Sequence, residues 1–340
     1  MDLRPDEESL AFGLTVRTLL GETAGTEALR AAWDSPDGRV PGLWHRLAEL
    51  GVAGLLVPEA AGGLGLDAAS AVAVFVELGR AAIPEPVAET VVGASLLARA
   101  GGEIAQRRVP DLLAGKATIG MGLGPGRLVS GAEWADVVVL RDAGGLVVVE
   151  AADLELVPRP SIDRGVRLAT VAGDVKGERL DGIDPDAAFD LMALAAAAQL
   201  VGLGEAMLDR SVGYALQREQ FGAVIGSFQA IKHQLADSWV ANSFVVPVVH
   251  RAAWSVATGA ATRARDVSHA KLAASGAALG AARTALQVHG AIGYTYEHDL
   301  HIWMKRAWTL DSLWGDRVWH RARVAAAVLR DDDSVPGGGR

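Results

Sequence analysis

The stretch LRPDEESLAFGLTVRTLLG carries Leu10, Leu14, Leu19 and Leu20 at close to helical spacing, and the pattern predicts an opening helix. VPGLWHRLAELGVAGLLVPEAAGGLGLD reads as a helix, a short apolar run and a glycine-rich turn at Gly62, Gly63 and Gly65. AASAVAVFVELGRAAIPEP predicts another helix, stopped by Pro84 and Pro86. From about residue 112 to 185 the pattern changes. ATIGMGL, DVVVLRD, GLVVVEA, LELVP and RLATVAG are short, valine-rich and punctuated by glycine, as strands are. VVVLRDAGGLVVVE predicts a hairpin turning at Ala143-Gly144-Gly145. From Pro185 onward the chain is helical again and the helices are long. The expected fold is mainly α with a small β-domain: an N-terminal helical domain (1–111), a reduced β-domain (112–185), a C-terminal helical bundle (186–330) and a disordered tail, DDDSVPGGGR (331–340). No internal repeat is visible.

Composition narrows the function. Half of the 340 residues are apolar, enough for a sizeable core. A net charge of -9 argues against a general nucleic-acid binder, although a local basic patch would still suit a phosphorylated small molecule. The chain has no cysteine, which excludes disulfides, thiolate metal sites and a cysteine nucleophile. The acidic opening MDLRPDEESLAF lacks a signal-peptide pattern. The longest apolar stretch, LMALAAAAQLVGLG (191–204), is shorter than the ~18 residues of a membrane span and reads as a tightly packed buried helix. The expectation is a cytoplasmic protein without a membrane partner.

Two clusters carry candidate chemistry. In YALQREQFGAVIGSFQAIKHQLADSWV (214–240) a helix is expected to end near Phe221-Gly222 and another to begin at Ser227, a natural N-cap. Arg218 near the first helix end suits the dipole, and a helical hairpin with a capping arginine would account for the pattern. In ALQVHGAIGYTYEHDLHIWMKRAW (285–308), Gly290 and Gly293 bracket a turn, and Gln287, Tyr294 and Tyr296 offer hydrogen bonds. His298 and His301 have metal-ligand spacing but no third ligand, and Glu297 and Asp299 read equally well as acids at a helix start, so no metal is assigned. GLGPG (122–126) does not fit a nucleotide loop and reads as strand end and turn. SLWGDRVWHR (312–321) places Gly315 and Asp316 between two tryptophans and marks a break between helices.

REQFG…FQAIKHQLADS followed by QVHGAIGYTYEHDLHIWMKRA resembles the acyl-CoA dehydrogenase family. ELGVAGLLVPEAAGGLGLD is similar to that family's N-terminal segment, and VPDLLAGKATIGMGL to the entry of its β-domain. The resemblance runs in order over essentially the whole chain. It implies FAD and the α,β-dehydrogenation of an acyl-CoA thioester, in which a carboxylate takes the α-proton and flavin N5 a β-hydride. It implies electron transfer to an acceptor flavoprotein. It also implies that FAD is shared between subunits, with Arg218, Phe221, Gln229, Gln287, Gly290 and Ala291 reaching the neighbour's cofactor.

The chain departs from the family at its chemistry. The family's Tyr-Glu-Gly-Thr segment aligns with LWGD, so Trp314 stands at the usual position of the base and cannot accept a proton from carbon. The alternative base position falls at Met192, which is equally unable. The flavin-side loop and strand motifs are replaced by MGLGPGRLVSGAEWAD and DVVVLRDAGG. The half of the FAD site offered to a neighbour looks intact, and the half offered to the chain's own flavin looks absent. The favoured expectation is the short, non-catalytic subunit of a heteromeric, steroid-side-chain-type acyl-CoA dehydrogenase, paired with a homologous full-length subunit as α2β2. The alternatives are a self-sufficient homo-oligomer with a relocated base, for which Asp311, Asp316 and Glu205 are the candidate carboxylates, and a cofactor-free CoA-thioester binding or assembly protein.

Overall fold

The computed structural model describes residues 3, 5–124 and 127–330. The expected disordered tail, 331–340, lies outside the described residues, as do Pro125 and Gly126 of the GLGPG stretch. Six helices come first: α1 (Glu7–Thr23), α2 (Thr26–Asp34), α3 (Leu43–Glu49), α4 (Ala68–Ala81), α5 (Val87–Ala100) and α6 (Glu103–Leu113). Asp6 caps α1 by accepting the amide of Ser9, and Asp67 caps α4 through Ser70. The buried face of α1 is Ser9, Gly13, Val16, Leu19 and Leu20. Leu10 and Leu14, expected on the apolar stripe, are about half exposed, so the predicted face is rotated. The reason is close approach: a Cβ at Gly13 would stand 3.1 Å from that of Ala73 on α4, and the small residues set the contact.

A seven-stranded sheet follows, built from β1 (Ile119–Gly122), β2 (Leu128–Ser130), β3 (Val137–Asp142), β4 (Gly145–Glu150), β5 (Glu155–Arg159), β6 (Leu168–Ala172) and β7 (Glu178–Arg179). The order is β5-β6-β2-β1-β3-β4-β7, with β1 and β3 parallel and the other neighbours antiparallel. The valine-rich hairpin forms in the register Asp142↔Gly145, so its turn is Ala143-Gly144. Val137 and Val139 of β3 face the helical core, whereas Val138 and Leu140 face a second core on the sheet's other side. Burial on both faces explains why the strands read as continuous rather than alternating apolar runs.

The C-terminal bundle comprises α7 (Pro185–Gln217), α8 (Gln229–Ala257), α9 (Arg263–His289), α10 (Leu300–Ser312) and α11 (Arg317–Arg330). The apolar stretch 191–204 lies within the 33-residue α7, which is long and apolar enough to cross a membrane, but 89% of its most apolar window is buried inside the protein. It crosses α4 with backbones nearly touching: a Cβ on Gly202 would fall 1.9 Å from the carbonyl oxygen of Val76, and one on Gly79 2.0 Å from that of Gln199. These glycines seat the N-terminal helices on the bundle. Met192 is buried in the interior of α7.

A candidate functional site at the bundle end and a cleft beneath two tryptophans

Two regions far apart in sequence meet at one end of the bundle. α7 stops at Gln217, earlier than expected, and Arg218 is its C-cap. A small hairpin follows, with β8 (Glu219–Gln220) paired to β9 (Ala223–Val224). Ile225, Ala215 of α7 and Val288 of α9 form a separate buried cluster that fixes this hairpin to the end of α9. The ring of Tyr214 stacks on that of His289 at 4.4 Å. Arg218, Phe221 and Gln229 are thereby brought beside Gln287, Gly290 and Ala291, and all but the half-buried Gly290 are exposed.

The local geometry of this face suits an anion. Ser227 does not cap α8 as expected; its hydroxyl donates to the carbonyl of Val224 inside a tight turn, and Phe228 takes the N-cap position without a side-chain cap. The first N–H groups of α8 therefore point outward, positive end of the helix first. The backbone of Arg218 bonds Tyr214 and Ile225, whereas among the described residues its side chain has no hydrogen-bond or ion-pair partner. Gly290 sits at φ 64, ψ -140, a conformation reserved for glycine, with open space where a Cβ would be. Phe221 is 95% exposed at φ 53. An unpaired guanidinium and an uncapped helix start can hold a pyrophosphate, and the two glutamines and Phe221 can contact the rest of a dinucleotide.

The histidines nearby are structural. His289 is buried; its Nδ1 lies 2.8 Å from the carbonyl oxygen of Ala285, so Nδ1 carries the proton, and burial holds the ring below the usual histidine range. Nδ1 of His298 accepts the amide of Leu300. His301 packs on Trp33 at 5.3 Å. Asp299 was expected at a helix start and stands there, yet it makes no cap: it pairs with Arg30 of α2. No group of three or more metal-ligating side chains occurs among the described residues.

Trp314 lies in the predicted break, between α10 and α11, and is buried at φ 60, followed by Gly315 at φ 90. A bulky residue is strained there and must be held. His320 Nε2 donates to the Trp314 carbonyl at 2.9 Å, and Lys271 donates to the carbonyls of Asp311 and Gly315, each at 3.2 Å. The indole separates two spaces. On one side is a cleft of ≈ 840 Å³ between the sheet and the ends of α7, α10 and α11. On the other is a chamber of only ≈ 30 Å³, room for a water molecule. The polar side chains lining the chamber are Glu85, Glu89, Ser130, Arg167, Gln199 and Arg306.

The three candidate carboxylates have other work. Glu205 pairs with Arg80 and lines neither space. Asp311 faces Arg317 at 3.2 Å. Asp316 lines the cleft, but its oxygen accepts the amide of Trp319 at 2.8 Å, the N-cap bond of α11. The acids that sequence reasoning missed are Glu85 and Glu89. One Glu85 oxygen accepts the amide of Val40 and the other is buried without a partner. Burial pushes Glu85 up to about 7. Burial also raises Glu89, which accepts the hydroxyl of Ser130 at 2.6 Å. The signal is in the sequence: two glutamates four residues apart in the otherwise apolar IPEPVAETVV.

Residues 6–116 match the model of the acyl-CoA dehydrogenase N-terminal domain, and residues 185–329 that of the C-terminal domain. The chain belongs to the acyl-CoA dehydrogenase family. It is 37% identical to acyl-CoA dehydrogenase IpdE2 of Mycobacterium tuberculosis, over 90% of this chain and 92% of that protein. Among solved structures, the Tcur3481-Tcur3483 steroid ACAD superposes with a TM-score of 0.89 at 24% identity, covering 96% of this chain and 99% of that one. The ChsE4-ChsE5 complex from Mycobacterium tuberculosis gives 0.83 at 24% identity, covering 99% and 100%. At those identities the two structures establish the acyl-CoA dehydrogenase fold.

Proposed function

We propose that this chain is the non-catalytic subunit of a heteromeric, FAD-dependent acyl-CoA dehydrogenase, joined to a homologous full-length subunit as α2β2 and working in the cytosol on a steroid-type acyl-CoA. One observation carries the reading: the residue aligned with the family's base is a buried tryptophan, held by Lys271 and His320, while Arg218, Gln229 and Gln287 lie exposed on one face. The names of the similar structures, a two-component complex and a steroid enzyme, agree with it.

The chain's own residues have binding roles. Arg218 and the start of α8 would hold the pyrophosphate of FAD, with Phe221, Gln229, Gln287, Gly290 and Ala291 along the same face. FAD, when bound, accepts the hydride lost from the acyl β-carbon and passes electrons to an acceptor flavoprotein. The proton is taken by the partner's carboxylate, because Trp314 offers no acceptor. A second reading, a self-sufficient enzyme with a relocated base, draws on Glu85, whose raised pKa suits a general base. Against it, Glu85 is buried in a chamber of only ≈ 30 Å³, too small for an acyl chain.

Flavin content tests the assignment. Expressed alone, the chain should be colourless; produced with its partner, the complex should hold one FAD per heterodimer. Stoichiometric flavin and acyl-CoA oxidation by the lone chain would overturn the proposal, and absence of flavin under every pairing would favour a CoA-thioester binding protein.

A further inference from the structure

A cavity of ≈ 280 Å³ lies where the end of α1 and the start of α2 meet α4, α7 and α10. It shares no lining residue with the cleft or the chamber beside Trp314, and none of the six positions proposed to face the cofactor lines it. Its size falls just below that of drug-sized ligand sites, roughly 300–1,000 Å³, so it suits a small molecule. Leu20, Ala24 and Ala81 give it apolar walls, and the indole of Trp303 lines it too. That ring is fixed: Trp303 is 1% exposed and its Nε1 donates to the carbonyl of Arg80 at 2.8 Å. Gly21 and Gly25 are exposed, and a Cβ added to either would meet nothing within 4 Å, so they leave the entrance clear.

Three arginines line this cavity, and Arg210 stands apart from the other two. Arg17 grips Glu77 with two bonds of 2.7 Å, and Arg80 pairs with Glu205 and Asp209. The guanidinium of Arg210 lies over the Trp303 ring, 3.4 Å from its centroid, and the residue is half-buried. Among the described residues its side chain has no hydrogen-bond or ion-pair partner. Asp299 and Asp209 act on it across space, but they are committed to Arg30 and Arg80. Burial lowers Arg210 from the usual arginine value, more than those two acids restore. The ring face offsets part of the charge and takes none of the five N–H donors. Their planar fork matches the two oxygens of a carboxylate. A dianion is disfavoured, because Glu77, Glu205 and Asp209 already stand beside the neighbouring arginines.

We propose that this cavity binds a small organic monocarboxylate, with the carboxylate in the fork of Arg210 and the apolar body against Trp303, Leu20 and Ala81. Such a ligand would tie the end of α1 to α7 and α10.

Ligand-observed fluorine NMR on the full chain tests this with 4-fluorobenzoate and its uncharged counterpart 4-fluorobenzamide. The benzoate should bind once per chain and about tenfold more tightly than the amide, as one charge-assisted contact implies. Arg210→Gln should abolish that preference by weakening the benzoate about tenfold, and should leave the amide unchanged. Arg210→Lys keeps the charge without the fork and should fall between. Gly21→Leu places an apolar side chain in the entrance from an exposed helical position and should weaken both probes. Benzoate affinity indifferent to Arg210, or equal to that of the amide in the wild-type chain, would overturn the inference. If Arg210→Gln does not fold, Gly21→Leu decides, and unchanged benzoate affinity in that variant would overturn it. Either result leaves the subunit assignment standing.

Discussion

The ammonium of Lys271 donates to the carbonyl oxygen of Gly315 at 3.2 Å from a side chain that is 1% exposed, spanning from α9 to the loop that carries Trp314. The same nitrogen serves the carbonyl of Asp311 in the last turn of α10. Helix-end carbonyls need such partners. Lys271→Met removes the donor and orphans two acceptors, at about 1–3 kcal/mol each, partly offset by relief of a desolvated charge. The expected net loss at pH 7 is about 1–3 kcal/mol. Burial lowers Lys271 to about 8 from 10.5, so above pH 8 the unfolded chain binds the extra proton and wild-type stability rises with pH. The gap between wild type and mutant should therefore widen from pH 8 to 10.5, by up to about 3 kcal/mol. Urea unfolding at pH 7 and pH 10 checks it; a gap that narrows would contradict the assignment.

Glu85 titrates in the opposite sense. Its carboxyl is raised to about 7 by burial, so it contributes stability that is whole below pH 4.5 and lost as pH rises through 7. Glu85→Gln keeps an acceptor for the amide of Val40 and removes the titration. The variant should match wild type at pH 4.5 and be more stable at pH 8, by on the order of 3 kcal/mol at most. Thermal melts across that range provide the measurement. An unchanged pH slope would show that Glu85 is not the group responsible.

Arg218→Ala probes the proposed cofactor contact. Loss of one charge-assisted contact, worth about 1.5–3 kcal/mol, should weaken FAD retention by the complex roughly ten- to a hundredfold. The exposed guanidinium has no partner among the described residues, so the melting temperature of this subunit should hardly move. Equilibrium dialysis of flavin from the complex separates the two effects. Full retention by a well-folded mutant would remove Arg218 from the cofactor site.

How much of this was legible beforehand depended on whether neighbours or local pattern set each feature. The runs around Val138 and Val148 read as strands because both sheet faces are covered and no polar residue interrupts them. The three residues of β2 and the two of β7 left too short a pattern to notice. Leu10 and Leu14 misled because exposed leucines are ordinary, whereas the face of α1 was chosen by a close approach at Gly13. Ser227 looked like a cap, but a tight turn over Ile225–Ser227 took its hydroxyl first. The six positions proposed to face the cofactor came from motif resemblance alone; that one face presents them follows from Ala215, Ile225 and Val288, whose contact no spacing reveals. Glu85 and Glu89 became visible only with the chamber that encloses them.

Trp314 supports the sharpest test of catalytic silence. Trp314→Phe keeps most of the apolar bulk, so activity per FAD in the complex should stay near wild type. Trp314→Glu restores a carboxylate to the family's usual base position. It should create no second active site, because MGLGPGRLVSGAEWAD and DVVVLRDAGG stand in place of the family's flavin-side motifs, and it should reduce stability by several kcal/mol unless the new acid protonates, with Glu85 and Glu89 already in the adjoining chamber. Trp314→Ala should instead join the cleft to the chamber and cost about 3–5 kcal/mol, the usual penalty for emptying a buried aromatic site. The decisive assay is acyl-CoA oxidation by a complex in which the partner's base has been removed and this chain is intact. No turnover is expected. Residual turnover that vanishes with Asp311→Asn or Asp316→Asn would place a working base on this chain, and residual turnover that vanishes with Glu85→Gln would place it behind Trp314.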